Sequence, residues 1–367
     1  MENINTGVKP ESNNLALEKE GARSQTLALC HDESMNQLFE NVFLPQSENS
    51  ARWLIPDAVM VPVVTNSDPT FVPPRHSQYC FRKDILRTIL AFLVNPHGSA
   101  LYITGPTGSG KTSIVTEVCA RLNWGVSQIT MNERFEFATL RGTWSYKRVE
   151  GSNTPEMVFQ DGPLATAMRL GHVLLLNEVD IAPAGEMSGM NDIIEGRPLT
   201  IPETGEVIKP HPLFRVIVTA NSKGQGDEMG CYAGVQQQNI AAMDRYRFLE
   251  VGYPAEMVEK SLLTSILNTS LGKKESAEMA KRMVRLANRV RNEFVGLKGI
   301  EGTLHVPVST RCLTTWAFLA QDYLGSKNAM KAAFEECYLR RCSQSEAQAV
   351  NDMAFAIFGD GWNLPAE

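Results

Sequence analysis

The octapeptide Gly105-Pro106-Thr107-Gly108-Ser109-Gly110-Lys111-Thr112 fits the pattern G-x-x-x-x-G-K-[ST] without a gap. Its glycines let the backbone fold around phosphate with N–H groups turned inward, at the positive end of a following helix. Lys111 is then placed to reach the β/γ-phosphates, and the Thr112 hydroxyl to hold Mg²⁺. A glycine-rich turn could match this pattern by chance, but the flanks argue otherwise. The run Ala100-Leu-Tyr-Ile-Thr104 reads as a short buried strand, and Ile114, Val115, Val118, Cys119 and Leu122 recur as on a helix. A loop in that setting predicts binding of a nucleoside triphosphate, with ATP and Mg²⁺ as the expected pair.

Two more apolar runs end in residues suited to the same chemistry. Val173-Leu-Leu-Leu176 leads into Asn177-Glu178-Val179-Asp180. Glu178 is the candidate base that polarises an attacking water, the alternative being a solvated helix-capping carboxylate. Asn177 stands where an aspartate is expected to support the Mg²⁺ shell. Its amide oxygen still accepts a hydrogen bond from a metal-bound water, but a neutral one, roughly half as strong as its charge-assisted counterpart. A slow ATPase, an ordinary one with compensation from elsewhere, and an engineered variant all fit that residue, and reduced but real activity is the favoured reading. Phe214-Arg-Val-Ile-Val-Thr-Ala220 ends in Asn221, whose amide can orient the lytic water or merely form a turn. Arg245, in Met243-Asp-Arg-Tyr246, lies too far along the fold to reach its own γ-phosphate and would point at a neighbour's nucleotide in a ring. Arg311, in Ser309-Thr-Arg311, opens a helix and could sense the γ-phosphate across a domain cleft. A surface salt bridge is the plain alternative for each arginine.

The elements that must hold these residues read as an α/β fold. Strand-like runs at Gly125–Met131, His172–Leu176 and Phe214–Ala220 are separated by helical or loop segments, as a parallel sheet with crossover helices requires. After Tyr253-Pro254 the period becomes helical, over 255–271, 276–297, 309–324 and 328–358. Three parts follow: an N-terminal extension (1–65), a nucleotide-binding domain (66–253) and an all-α lid domain (254–367). The first 25 or so residues are polar and expected to be disordered. Met35, Leu38, Phe39, Val42 and Phe43 give weak helical signals, and Pro56, Pro62, Pro69, Pro73 and Pro74 mark an extended stretch with little regular structure.

Composition sets wide limits. The 367 residues are 43% hydrophobic and 21% charged, as in ordinary globular proteins, with a formal net charge of -6 that opposes a nucleic-acid footprint over the whole surface. A local basic patch would escape that sum. Met1–Glu20 has no basic-then-apolar signal pattern, and no apolar run approaches membrane-spanning length, so a cytoplasmic location is expected. The seven cysteines are scattered and odd in number, which favours buried thiols over disulfides or zinc.

Together these features resemble the AAA+ ATPases, more narrowly the MoxR-like clade, and within it the CobS type, the ATPase subunit of aerobic cobaltochelatases. The resemblance covers roughly residues 60–345. It rests on Arg121-Leu-Asn-Trp124, Asp161-Gly-Pro-Leu164, Val207-Ile-Lys-Pro-His-Pro-Leu-Phe-Arg215 and Ala220-Asn-Ser-Lys-Gly-Gln-Gly-Asp227, and continues through Gly230-Cys-Tyr-Ala-Gly234, Gln236-Gln237, Asn239 and Met243-Asp-Arg245 to Ser309-Thr-Arg311 and Thr315-Trp-Ala317. It implies Walker A roles for Lys111 and Thr112, Walker B for Asn177 and Glu178, sensor 1 for Asn221, an arginine finger for Arg245 and sensor 2 for Arg311. It also implies a hexameric ring and a von Willebrand A-domain partner of the CobT kind, through which the motor acts on a client protein. Asn177, the long N-terminus and the tail past 345 depart from the pattern. Residues 134–160, with Arg141-Gly-Thr-Trp144 and Lys147-Arg148, suit the insert hairpin that faces the pore in this clade, where a tryptophan amid basic residues could grip a peptide or stack on a base. A motor that remodels a protein partner is the favoured reading. A true cobaltochelatase subunit driving cobalt into a corrin, a nucleic-acid-directed or defence-type motor, and a nucleotide-gated scaffold with weak ATPase are the alternatives.

Overall fold

The computed structural model describes residues 29–45, 51–148, 155–226, 232, 234–294, 302–359 and 362. The expected disorder of the first 25 residues lies outside them.

Ahead of the P-loop, β1 (Cys30–Ser34), β2 (Val42–Phe43), β3 (Met60–Val64) and β4 (Phe81–Arg82) form two small sheets, β1 antiparallel to β3 and β2 parallel to β4. Of the helical signals in this stretch only Met35–Leu38 forms a helix, and Val42–Phe43 is a strand. Pro62 sits within β3 opposite Asp32. A proline is tolerated there because each strand of a two-stranded sheet has a free edge. Met35, Phe39, Val61 and Val63 are buried in the same cluster as Val115 and Val118 of the P-loop helix, so this segment is part of the main core.

The remaining strands are β5 (Ala100–Thr104), β6 (Val126–Thr130), β7 (Gly142–Arg148), β8 (Pro155–Asp161), β9 (Val173–Asn177), β10 (Leu199–Ile201), β11 (Glu206–Ile208), β12 (Arg215–Ala220) and β13 (Tyr246–Glu250). Five of them make one parallel sheet in the order β13-β5-β12-β9-β6. Every residue of β5, β9 and β12 is buried, as expected of inner strands covered by helices on both faces. The pleat sends alternate side chains to opposite faces. Leu101, Ile103, Leu175 and Ile217 pack with the P-loop helix, while Tyr102, Leu174, Leu176 and Val218 face the helix Pro163–Leu170 and its neighbours. The α/β fold with a parallel sheet is therefore as the sequence pattern predicts.

The helices Glu256–Leu267, Lys273–Asn292, Thr310–Asp322, Ala329–Cys337 and Gln344–Phe358 close over a third cluster centred on Trp316, Phe334 and Trp362. The single helix expected over 328–358 is two, separated by a 3₁₀ turn at Leu339–Arg341. The break has a local cause. Ser343 and Glu346 form a capping box that satisfies the free N–H groups of a new helix.

Candidate nucleotide site

Strand register builds the first half of the site. Ala220 of β12 pairs with Thr104 of β5, so Asn221 leaves the sheet beside Gly105, the first glycine of the loop. Val218 pairs with Leu176 of β9, which brings Asn177 next to Thr219. The side chains meet accordingly. Lys111 Nζ donates to Asn221 Oδ1 at 2.9 Å and to the carbonyls of Gly105 and Pro106 at 2.7 and 3.1 Å. The Thr112 hydroxyl donates to Asn177 Oδ1 at 2.7 Å, and the Thr219 hydroxyl donates to the same oxygen at 3.1 Å. Lys111 with Asn221, and Thr112 with Asn177, thus form two hydrogen-bonded pairs side by side, because Lys111 and Thr112 are neighbours in sequence.

Glu178 follows at the strand end, exposed, with φ +58°. That left-handed conformation is uncommon for a residue with a side chain and is typical of functional turns. It turns the carboxylate out of the sheet while Val179 and Asp180 on either side of the next peptide are buried.

The loop itself needs its glycines. Gly108 has φ +67°, and a Cβ there would lie 2.5 Å from Ser309 Oγ; at Gly105 it would lie 2.1 Å from the Val251 carbonyl oxygen. Gly110 caps the P-loop helix Lys111–Arg121 in a left-handed conformation at φ +92°. Burial, opposed by Asp180 and Glu178 and reinforced by the nearby Arg311, pushes the Lys111 ammonium down to about 8. Two cations thus converge on a glycine loop at the N-terminus of its helix, which is an arrangement that favours an anion.

The helical region supplies the other half. Ser309 is the N-cap of the helix Thr310–Asp322, accepting from the Cys312 N–H at 3.2 Å, and it rests on Gly108. Arg311 is exposed in the first turn of that helix. A cation there opposes the helix dipole, so helix stability does not explain its place. A cavity of about 350 Å³ opens between this helix, the P-loop and the segment ahead of it, lined by Tyr79, Cys80, Gly110, Pro254, Leu262 and Arg311. Arg245 stands apart. Its carbonyl accepts from Ala100 N at 3.1 Å, at the end of β5 opposite the P-loop, and its guanidinium pairs with Glu195 at 2.7 Å. Four residues of strand, roughly 13 Å, separate that end from the loop.

Several residues of the site escape a reading by motif. Asp180 is fully buried and accepts from the N–H groups of Asn221 and Ser222 at 2.8 and 2.9 Å. Tyr253 donates its hydroxyl to the Thr107 carbonyl at 3.0 Å and lies under the Arg291 guanidinium, 4.2 Å from its centroid. Arg291 in turn forms a buried two-pronged pair with Glu259, at 2.7 and 2.8 Å, and Thr310 donates to that carboxylate at 2.6 Å. The strand-end acid was visible in sequence, but its partners are set by register; the other charges lie on helices where they read as surface. In the insert, β7 and β8 form a hairpin whose one face carries Trp144, Tyr146, Met157 and Phe159, the first three exposed.

Residues 100–231 match the AAA domain of the dynein-related subfamily, and residues 265–354 match the CbbQ/NirQ/NorQ C-terminal domain. The chain combines an AAA domain with a CbbQ/NirQ/NorQ-type C-terminal domain, a MoxR-like arrangement. It is 29% identical over 321 residues to the aerobic cobaltochelatase subunit CobS of a Sinorhizobium species, covering 86% of this chain and 92% of that one. An uncharacterized protein of Staphylococcus haemolyticus is 34% identical over 154 residues, 42% of this chain and 55% of that protein. Midasin of Giardia intestinalis is 24% identical over 195 residues, 53% of this chain and 4% of that much longer protein. Some residues that carry the CobS-like resemblance serve the AAA+ scaffold. Trp124 donates to the Gly171 carbonyl at 3.0 Å and lies 5.6 Å from the Arg215 guanidinium, and Gln236 N–H donates to the Asp180 carbonyl at 2.7 Å. No helix among the described residues is long and apolar enough to cross a membrane.

Proposed function

We propose that this chain is a cytoplasmic, ATP-hydrolysing AAA+ motor of the MoxR/CobS type, acting as a hexameric ring on a protein partner, with a von Willebrand A-domain protein as its adaptor. Residues 66–253 form the nucleotide-binding domain and 254–367 the lid. One observation carries the reading: at the mouth of a glycine loop Lys111 is bonded to Asn221 at 2.9 Å and the adjacent Thr112 to Asn177 at 2.7 Å, with Glu178 exposed next to Asn177. The Thr112 hydroxyl and the Asn177 amide oxygen suit Mg²⁺ and its water shell, being oxygen donors side by side at the end of the P-loop. The ion, when bound, neutralises charge developing on the phosphates.

The roles of the residues follow from their positions. The N–H groups of Gly108, Ser109 and Gly110 hold phosphate oxygens, and Lys111 exchanges its contacts to the Gly105 and Pro106 carbonyls for the β/γ-phosphates. The base and ribose lie in the 350 Å³ cavity beside Tyr79. Glu178 takes the proton of the attacking water, which Asn221 orients. Arg311 reaches the γ-phosphate from the lid. Arg245, at the far end of its own sheet, serves the nucleotide of the adjacent subunit, leaving Glu195 to do so.

Steady-state phosphate release with Mg²⁺-ATP, together with mass by light scattering, tests the proposal. Turnover that disappears in Arg245→Ala, disappears in Lys111→Ala and partly returns when the two variants are mixed would support hydrolysis between subunits. A monomer at micromolar concentration with saturating ATP would overturn the ring. A cobaltochelatase role is the second reading, favoured by the match over 92% of the Sinorhizobium subunit. Restoration of cobalt insertion in a system lacking that subunit would select it.

A further inference from the structure

We propose that Asp180 is a positioning residue for the ATPase reaction, its carboxylate clamping the turn that presents Asn221 to the nucleotide. The proposal rests on the reading of Asn221 as the group that orients the lytic water. β12 ends at Ala220, and the next two N–H groups, of Asn221 and Ser222, fall outside its ladder. Both donate to one oxygen of Asp180, at 2.8 and 2.9 Å. From the opposite side, the Ser222 carbonyl accepts the Thr104 hydroxyl at 3.0 Å and the Tyr102 hydroxyl at 3.3 Å. The turn is therefore fixed by a carboxylate from the end of β9 and by hydroxyls from β5. Between them, the Asn221 side chain holds its oxygen 2.9 Å from Lys111.

A carboxylate with no exposed surface is rare and persists where hydrogen bonds hold it. Here only Oδ2 is used in the clamp, and Oδ1 is buried with no hydrogen-bond partner among the described residues. An amide oxygen would serve two N–H groups, so the turn alone does not call for an acid. The second contribution of Asp180 is its negative charge, set within the site beside Lys111, where Asn177 contributes none. The acid missing from the strand end at 177 is thus present three residues later, facing the sensor turn.

Asp180→Ala, Asp180→Asn, Asn221→Ala and the double variant Asp180→Ala/Asn221→Ala, made in the full chain, separate these contributions. If Asp180 acts through Asn221, Asp180→Ala lowers kcat about a hundredfold with little change in KM, the scale of misplacing a reacting group by an ångström. The double variant is then no slower than Asn221→Ala alone. Asp180→Asn, which keeps an acceptor, retains more activity than Asp180→Ala. Hydrogen exchange of the nucleotide-free protein provides a readout independent of hydrolysis: the amides of Asn221 and Ser222 lose protection in Asp180→Ala while those of Val216–Val218 keep theirs. If that variant does not fold, the same selective loss in Asp180→Asn, smaller because an amide is the weaker acceptor, carries the test. Unchanged exchange at 221–222, or rate losses that multiply in the double variant, would overturn the proposal. A parent protein without ATPase activity would overturn the catalytic reading, and the exchange data would still decide the clamp.

Discussion

The P-loop is held on two sides by different means. Toward the sheet, Asn177, Asp180 and Asn221 sit at the ends of β9 and β12, and their places follow from strand register. A slip of the ladder by even one residue would turn every side chain to the wrong face, so the register on this side is strongly fixed. Toward the lid, the contacts are the Ser309 approach to Gly108, the Tyr253 bond to Thr107 and the buried Glu259–Arg291 pair behind them. Side chains alone join that side to the loop. The comparison teaches that the half of the site carrying Glu178 and Asn221 is held by strand register, while the half carrying Arg311 is held by side-chain contacts and, if the proposed function is right, is the half that answers to nucleotide.

The largest expected effect removes what both sides share. Lys111 is the cation between them, and if it holds the β/γ-phosphates as proposed, Lys111→Ala should abolish measurable Mg²⁺-ATP binding by calorimetry. Retained micromolar affinity would mean that Arg311 and the loop N–H groups suffice.

Next is the lid anchor. Arg291→Ala leaves the Glu259 carboxylate, 1% exposed, without the guanidinium that pairs with it, although the Thr310 hydroxyl remains. Breaking a buried pair in this way costs about 3–5 kcal/mol, to be read from the urea midpoint. A loss below about 1 kcal/mol would show that the pair is not what holds the helices at the P-loop. On the sheet side, Glu178→Gln should do the opposite: turnover stalls with nucleotide binding and stability kept, because the side chain is exposed and its backbone strain is unchanged. Comparable phosphate release by Glu178→Gln and the parent would dismiss Glu178 as base.

The same division explains what could be read in the sequence. Gly105 to Thr112, Asn177, Glu178 and Asn221 are legible because each is a local spacing attached to an apolar strand end. The role of Asp180 is not legible, since its partners lie 41 and 42 residues away and are chosen by the β9–β12 register. Glu259 and Arg291 are still harder to see: on amphipathic helices, charged residues usually face water, and here two face each other. At β3, Val61 and Val63 alternate toward the core, but the intervening Pro62 masks the strand. The helix break at Ser343 carries a signal, Ser-x-x-Glu, set inside a continuous helical period that masks it.

A smaller effect tests the charge balance of the sheet side. Asn177 Oδ1 receives the Thr112 and Thr219 hydroxyls, at 2.7 and 3.1 Å, and a carboxylate there would accept both and restore a charge-assisted bond to a metal-bound water. Asn177→Asp should raise kcat about tenfold, the equivalent of about 1.4 kcal/mol, and lower the Mg²⁺ needed for half-maximal rate. An unchanged rate and Mg²⁺ dependence would mean that the deficit is already compensated, with Asp180 and Glu178 as sources of charge in the same site. A lower rate with a weakened ring would favour a nucleotide-gated scaffold.

The smallest effect probes the joint between the two sides. Tyr253 does two things: its ring lies under the Arg291 guanidinium, and its hydroxyl reaches the Thr107 carbonyl. Tyr253→Phe keeps the ring and removes only the bond to the P-loop. A single neutral hydrogen bond contributes about 0.5–1.5 kcal/mol, so a loss of roughly threefold in ATP affinity is expected, with kcat and the urea midpoint nearly unchanged. Tyr253→Ala also removes the surface on which Arg291 rests and should lower the midpoint as well. If the phenylalanine variant binds ATP as the parent does, the lid reaches the P-loop through Ser309 packing alone. If it is as damaged as the alanine variant, the hydroxyl is the joint itself, and the lid is less independent of the loop than its side-chain contacts suggest.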